Sequence, residues 1–174
     1  MEHAEHSIRI AVGLDGSDGS AHGLQWAIDL AKRLDAEIVA VHVDRPVAYL
    51  PAPMGLLPPA ETPEQQAELQ HDLRNIWCAP LRESGIRFRS ILVEGTPIGT
   101  ALIQAALDAG ADLIVVGSRG LGGLAEVFLG SVSHQVAHHS PIPVVIVPPV
   151  ARVKEASRRP EFAAMRKPTL VPVS

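Results

Sequence analysis

Five short runs along the chain are almost continuously apolar, and the segments between them are apolar on one side only. The runs are Ile8–Leu14 (IRIAVGL), Glu37–Val43 (EIVAVHV), Ile86–Val93 (IRFRSILV), Asp112–Val116 and Val144–Val147. Each has strand length and too few polar residues for a wet face, the pattern of a strand covered on both sides. In the third run Arg87 and Arg89 alternate with apolar residues, as expected at a sheet edge.

The intervening segments repeat every 3.6 residues. Leu24, Ala27, Ile28, Ala31 and Leu34 form one stripe, and Leu69, Leu73, Ile76 and Trp77 a second inner face. Ile98, Leu102, Ala105, Ala106 and Ala109 form a third; Val132, Val136 and Ala137 mark a fourth helix. The punctuation agrees. In Asp15-Gly16-Ser17-Asp18-Gly19-Ser20 a turn is followed by a Ser or Asp able to cap the first helix. Thr62-Pro63-Glu64 supplies a cap, a proline at the first helical position and a first-turn acid. Pro80 is expected to kink that helix near its end, Gly85 to end it, and Gly110 to close the next. Ser140-Pro141-Ile142-Pro143 breaks the last helix. Arg45–Ala60 holds five prolines and reads as a long loop, a class that includes binding lids and disordered segments.

Strands alternating with helices imply an α/β fold: a five-stranded parallel sheet sandwiched by helices, with right-handed crossovers. Ligands of such sheets bind beyond the carboxyl ends of the strands, where the strand order reverses. Strands 1 and 4 are the expected flanks of that point. Asp15, the Val43-Asp44 end of strand 2, and Gly117 would then meet at one crevice.

The residues after strand 4 carry the strongest chemical signal. Gly117-x2-Gly120-x9-Gly130-Ser131, with Ser133 close behind, joins a strand to a helix. Glycine there permits a sharp turn or a close ligand approach. A Gly-Ser helix start offers N–H groups and a positive dipole end to an anion. The spacing is neither that of the P-loop nor that of the GxGxxG fingerprint. Backbone donors at Gly130, Ser131, Val132 and Ser133 suit phosphate, and the hydroxyls of Ser131 and Ser133 add donors. Arg119 either offsets phosphate charge or is a solvated surface cation. Asp15 either caps a helix or touches the ligand. His134 and His138 share a helix face but have no acidic or thiol partner nearby in sequence, so no metal site is expected. No GxSxG elbow is present, and no catalytic residue is assigned.

Composition narrows the classes further. The chain has 174 residues, 47% apolar and 20% charged, enough for one domain with a proper core. Aromatics are only 3%, which argues against stacking platforms for single-stranded nucleic acid. The single cysteine, Cys78, allows no intrachain disulfide and suits a reducing, cytoplasmic setting. It reads as a small core residue rather than a redox centre. The N-terminal residues MEHAEHSIRI do not read as a signal peptide, and no stretch has the length of a membrane span. Residues 151–174 carry net charge +4 against −8 for the rest, so residues 1–149 are expected to form the domain and 150–174 a basic tail. An acidic body of this kind makes no strong case for nucleic acid as a partner.

Together these residues resemble the universal stress protein family, in its ATP-binding type. The likeness rests on Asp15-Gly16-Ser17 after strand 1, His42-Val43 at the end of strand 2, and Glu94-Gly95-Thr96-Pro97 before a helix. Ala111 to Gly117, the glycine motif and the closing Pro-Val-Val-Ile-Val strand complete it. It covers roughly residues 7–149. The resemblance implies an adenine nucleotide alpha hydrolase-like fold with strand order 3-2-1-4-5. It implies that Asp15 bonds the ribose or sits near adenine and metal-bound phosphate, with Mg2+ held through phosphate oxygens. The Val43 backbone would read the adenine edge, while Gly117, Arg119, Gly120, Gly130, Ser131, Val132 and Ser133 hold ribose and phosphates. It implies a homodimer, and strand 5, apolar and at a sheet edge, is the expected contact. The function expected is ATP-dependent signalling or stress response through an unknown partner. The alternatives are a slow ATPase or nucleotidyl-transfer enzyme, and a nucleotide-free interaction module.

Overall fold

The structure, a computed structural model, describes residues 7–45, 62–119 and 129–149. The body of the Pro-rich loop, Gly120 of the glycine motif and the basic tail lie outside the described residues. Strands β1 (Arg9–Gly13), β2 (Glu37–Asp44), β3 (Phe88–Glu94), β4 (Leu113–Gly117) and β5 (Val144–Val147) form one parallel sheet in the order β3-β2-β1-β4-β5. The order reverses between β1 and β4, the flanks expected for the switch point, in the strand order that the family resemblance implied. The Arg-bearing strand β3 is an edge, also as expected.

Among the described residues five α-helices connect the strands. α1 (Asp18–Leu34) begins at Ser17, whose side chain accepts from the Ser20 N–H at 3.2 Å. α2 (Pro63–Asp72) begins with a capping box: Thr62 Oγ1 accepts from Gln65 N–H, and Gln65 Oε1 accepts from Thr62 N–H. Next comes a five-residue π turn, Leu73–Trp77, before α3 (Ala79–Ser84). The kink expected at Pro80 is this π turn. Proline has no N–H to return to Ile76, so the helix widens and restarts with Pro80 in its first turn. The wider turn also shifts the helical phase. Ile76, expected on the inner face, is 57% exposed, whereas Leu73 and Cys78 are buried. α4 (Ile98–Asp108) and α5 (Ser131–His139) complete the set.

Alternating strand residues feed two cores. Ile10, Val12, Ile38 and Ala40 pack under α1 and the α3 segment with Leu24, Ile28, Leu73 and Leu81. Ala11, Val39, Val41, Ile114 and Val116 face α4 and α5 with Leu102, Ala106 and Val136. Cys78 belongs to the first core, and burial pushes its thiol pKa up against the opposing effect of Arg82. A thiol held neutral in this way is packing material rather than a nucleophile.

The first turn of α1 crosses directly over the exit of β4. A Cβ on Gly19 would run into the carbonyl oxygen of Arg119, and one on Gly117 into the carbonyl of Gly19. Gly23 continues the contact, 3.2 Å from the Gly117 nitrogen to its virtual Cβ. Helix propensity alone would favour alanine at Gly19 by about 1 kcal/mol. The backbone contact predicts the opposite sign. Gly19→Ala is expected to lower stability by about 1–3 kcal/mol, read as a lower urea midpoint at unchanged slope. A midpoint equal to or above the wild type would contradict the close crossing.

Candidate functional site

A cavity of about 740 Å3 opens at the carboxyl edge of the sheet, within the size range of small-molecule sites. Its floor follows from unequal strand lengths. β1 stops at Gly13, opposite Val41, while β2 continues to Asp44. The last link is Leu14 N–H to the Val41 carbonyl, 2.9 Å. In a parallel ladder alternate residues face the same neighbour. Glu37 and Val41 bond toward β1, while Ile38 and Asp44 bond toward the β3 side. Val43 therefore turns its N–H and C=O toward the space that β1 has vacated. A continuing ladder would join Val43 N–H to the Leu14 carbonyl. Instead that carbonyl accepts from His42 Nδ1 at 2.7 Å, and among the described residues it has no bond to Val43.

The other wall of the gap is β4. Gly117 likewise overhangs the end of β1, and its carbonyl accepts from Ser133 Oγ at 2.6 Å. Ser133 is only 4% exposed. Its hydroxyl hydrogen, expected to face a ligand, is thus spent within the fold, standing in for the missing strand. Ser118 donates to the Val147 carbonyl and accepts from Gly130 N–H at 2.8 Å, which sets the start of α5. The Gly130 amide, also expected as a ligand donor, is therefore committed too. The available backbone donors begin one residue later, at Ser131, Val132 and Ser133.

Among the described residues the starts of α1, α4 and α5 differ, and that of α2 is closed by its own Thr62–Gln65 capping box. In α1 the Ser17 hydroxyl is the cap. In α4 the Gly99 N–H donates to Gln135 Oε1 of α5, 2.9 Å away. In α5 the cap position is Gly130, and no side chain closes the first turn. That end keeps its N–H groups and dipole facing the cavity. Gly130 also lacks a packing reason to be glycine. Its φ is −68°, and an added Cβ would meet its nearest described neighbour, the Ser118 oxygen, at 3.4 Å, an ordinary contact.

Asp15 is not itself the helix cap but supports it, and it borders the cavity. Its Oδ1 accepts from the Ser17 N–H at 3.0 Å and the Ser17 hydroxyl at 2.6 Å, so it orients the α1 cap rather than being it. It also lines the cavity, as do Val43, Gly117, half-buried Arg119, Gly130, Ser131, Val132 and Ser133. Gly120 lies outside the described residues. Among the described residues no cluster of three or more His, Cys, Asp or Glu gathers to hold a metal by itself. His134, His138 and His139 stack on one another on the exposed side of α5.

Among the lining side chains that sequence reading did not assign to the site are His42 and Trp77. His42 was legible only as part of a strand ending. Trp77 was assigned to a core face, because the extra residue of the π turn leaves no mark in apolar periodicity.

This sheet, with its crevice between β1 and β4, defines a doubly wound α/β protein of the adenine nucleotide alpha hydrolase-like fold. Residues 8–148 match the model of the universal stress protein family, and the chain belongs to that family. It is 37% identical over 148 residues to universal stress protein YxiE of Bacillus subtilis, covering 80% of this chain and 97% of that one. A solved universal stress protein in complex with cAMP is 27% identical at a TM-score of 0.60, covering 82% of this chain and 97% of that one. A family protein from Burkholderia pseudomallei is 26% identical at a TM-score of 0.60, covering 80% and 95%.

The Ser133 hydroxyl is predicted to be structural. Ser133→Ala leaves the Gly117 carbonyl buried without that donor and is expected to cost about 1–3 kcal/mol of folding stability. Thermal unfolding checks this; an unchanged midpoint would show that Ser133 does not support the strand end.

Proposed function

We propose that this chain binds an adenine nucleotide, with ATP as the ligand and Mg2+ carried on its phosphates. Occupancy of the site would regulate a loop conformation or a surface read by a signalling partner. One observation carries the proposal: the two kinds of group a nucleotide needs lie at opposite walls of one cavity. At the β2 wall, Val43 presents one N–H and one C=O, the pair that reads the edge of a base. At the β4 wall, the uncapped start of α5 presents N–H groups and a positive dipole end, which suit phosphate. Asp15 lies between these walls at the end of β1, where a ribose hydroxyl or a phosphate-bound cation would lie. A single carboxylate supplemented by substrate phosphates is an ordinary Mg2+ environment. The relative that holds cAMP supports the adenine class. The single buried cysteine suits a cytoplasmic protein.

Titration calorimetry with ATP, AMP and cAMP tests the reading. ATP is expected to bind and to raise the melting temperature; absence of binding by all three would overturn it. Gly130→Ala is the informative variant. It should cost no more than about 1 kcal/mol in folding, yet weaken ATP at least about tenfold, or roughly 1.4 kcal/mol. Steady ATP turnover well above background, lost in Asp15→Ala, would instead assign the site to a hydrolase.

We also propose a homodimer through β5. The strand is at the sheet edge, with Val144, Val145 and Ile146 only half-buried, and an unpaired apolar edge invites a partner strand. Light scattering at micromolar concentration is expected to give twice the 18.5 kDa chain mass; a monomeric mass contradicts it.

A further inference from the structure

Trp77 is one of two tryptophans in the chain and lies half-buried in the cavity wall. Three features hold it there. The π turn carries it, and π turns inside helices recur at functional sites. The His42 ring meets it edge-on, with centroids 5.0 Å apart and planes at 68°, a favoured aromatic geometry. Gly16, at φ +76°, is also against it: an added Cβ there would sit 2.8 Å from the indole. Trp77 thus rests on the turn that carries Asp15. His42 is itself fixed: the Leu14 carbonyl can only accept, so the ring hydrogen is on Nδ1.

Sheet geometry places this pair relative to Val43. Backbone N–H and C=O groups of a strand point within the plane of the sheet. A flat ring bonded to both groups of Val43 lies near that plane, with one face toward each helical layer. On the α4 side the cavity is walled by Ile98 and Leu102, and on the other by Trp77 and His42.

We propose that Trp77, presented by the π turn and braced by His42 and Gly16, is the wall against which the base of a bound nucleotide packs. The site then recognises a heteroaromatic ring, and phosphates alone are poor ligands. This deepens the nucleotide reading above and rests on it.

The test uses Trp26→Phe, which removes a partly exposed tryptophan outside the cavity and leaves Trp77 as the sole emitter. ATP is expected to change its emission with the dissociation constant found by calorimetry, while inorganic triphosphate leaves it unchanged. Trp77→Leu should weaken ATP by about 5- to 100-fold, the range of base–aromatic stacking, and leave triphosphate binding unaltered. Trp77→Phe should restore most of the affinity. ATP binding with Trp77 emission unchanged, or Trp77→Leu binding ATP as tightly as Trp77→Phe, overturns the inference and leaves the nucleotide reading standing. No ATP binding by the wild-type chain overturns both. The emission measurement needs no substitution at Trp77, so it decides the matter even where Trp77→Leu folds poorly.

Discussion

The early end of β1 is the constraint from which the site follows. A central strand that stops before both neighbours leaves two rows of backbone polar groups facing a gap. Buried groups of this kind must find partners, and the chain meets the requirement differently on each side. At β4 it supplies a hydroxyl: Ser133 takes the Gly117 carbonyl. At β2 an imidazole takes the Leu14 carbonyl that would have continued the ladder. Val43 is left facing the cavity. A crevice at a switch point is thus more than a space between diverging helices. It is a place where the sheet's own hydrogen bonding is incomplete, and one wall of it is completed from within.

The glycines of the motif separate under the same scrutiny. Gly117 is required by the protein itself, because α1 and β4 cross with backbone against backbone at Gly19. That contact brings the first turn of α1, and so Asp15, beside the exit of β4. Gly130 has no such obligation among the described residues: its φ suits any residue and its surroundings admit a methyl group. Two glycines of one sequence motif therefore differ: packing among the described residues accounts for Gly117 and not for Gly130.

Much of this was legible in the chain. The five strands and their parallel sheet follow from apolar run length and element alternation, the edge at β3 from its alternating arginines, and the strand order from the family resemblance. The helix starts at Ser17 and Thr62 follow from cap chemistry. What escaped the sequence depends on phase and register. The outward turn of Ile76 and the placement of Trp77 come from one extra residue in the π turn, which a 3.6-residue template absorbs unnoticed. Ser133 looked like a ligand donor because its hydroxyl is at a helix start, but its tertiary partner is a carbonyl sixteen residues earlier. The role of Val43 came from family resemblance. Its physical basis, the parity of a parallel ladder running past a finished strand, exists only once register is known.

The helix starts at the carboxyl edge of the sheet differ in how they are closed. α1, α2, α4 and α5 all follow a strand of the parallel sheet and start toward its carboxyl edge, so the dipole alone does not distinguish them. Capping does. Ser17 occupies the first turn of α1, and Gln135 reaches from α5 to occupy that of α4. The residue that closes α4 thus belongs to the helix whose own start stays open. Gln135 also packs its side chain against Gly99, where a Cβ would collide with it, so the two helices are locked together at their first turns. Among the described residues the start of α5 carries no side-chain cap, whereas those of α1, α2 and α4 are each held by a side chain. That start follows Gly130, a position where the described residues leave room for a methyl group that the sequence does not supply.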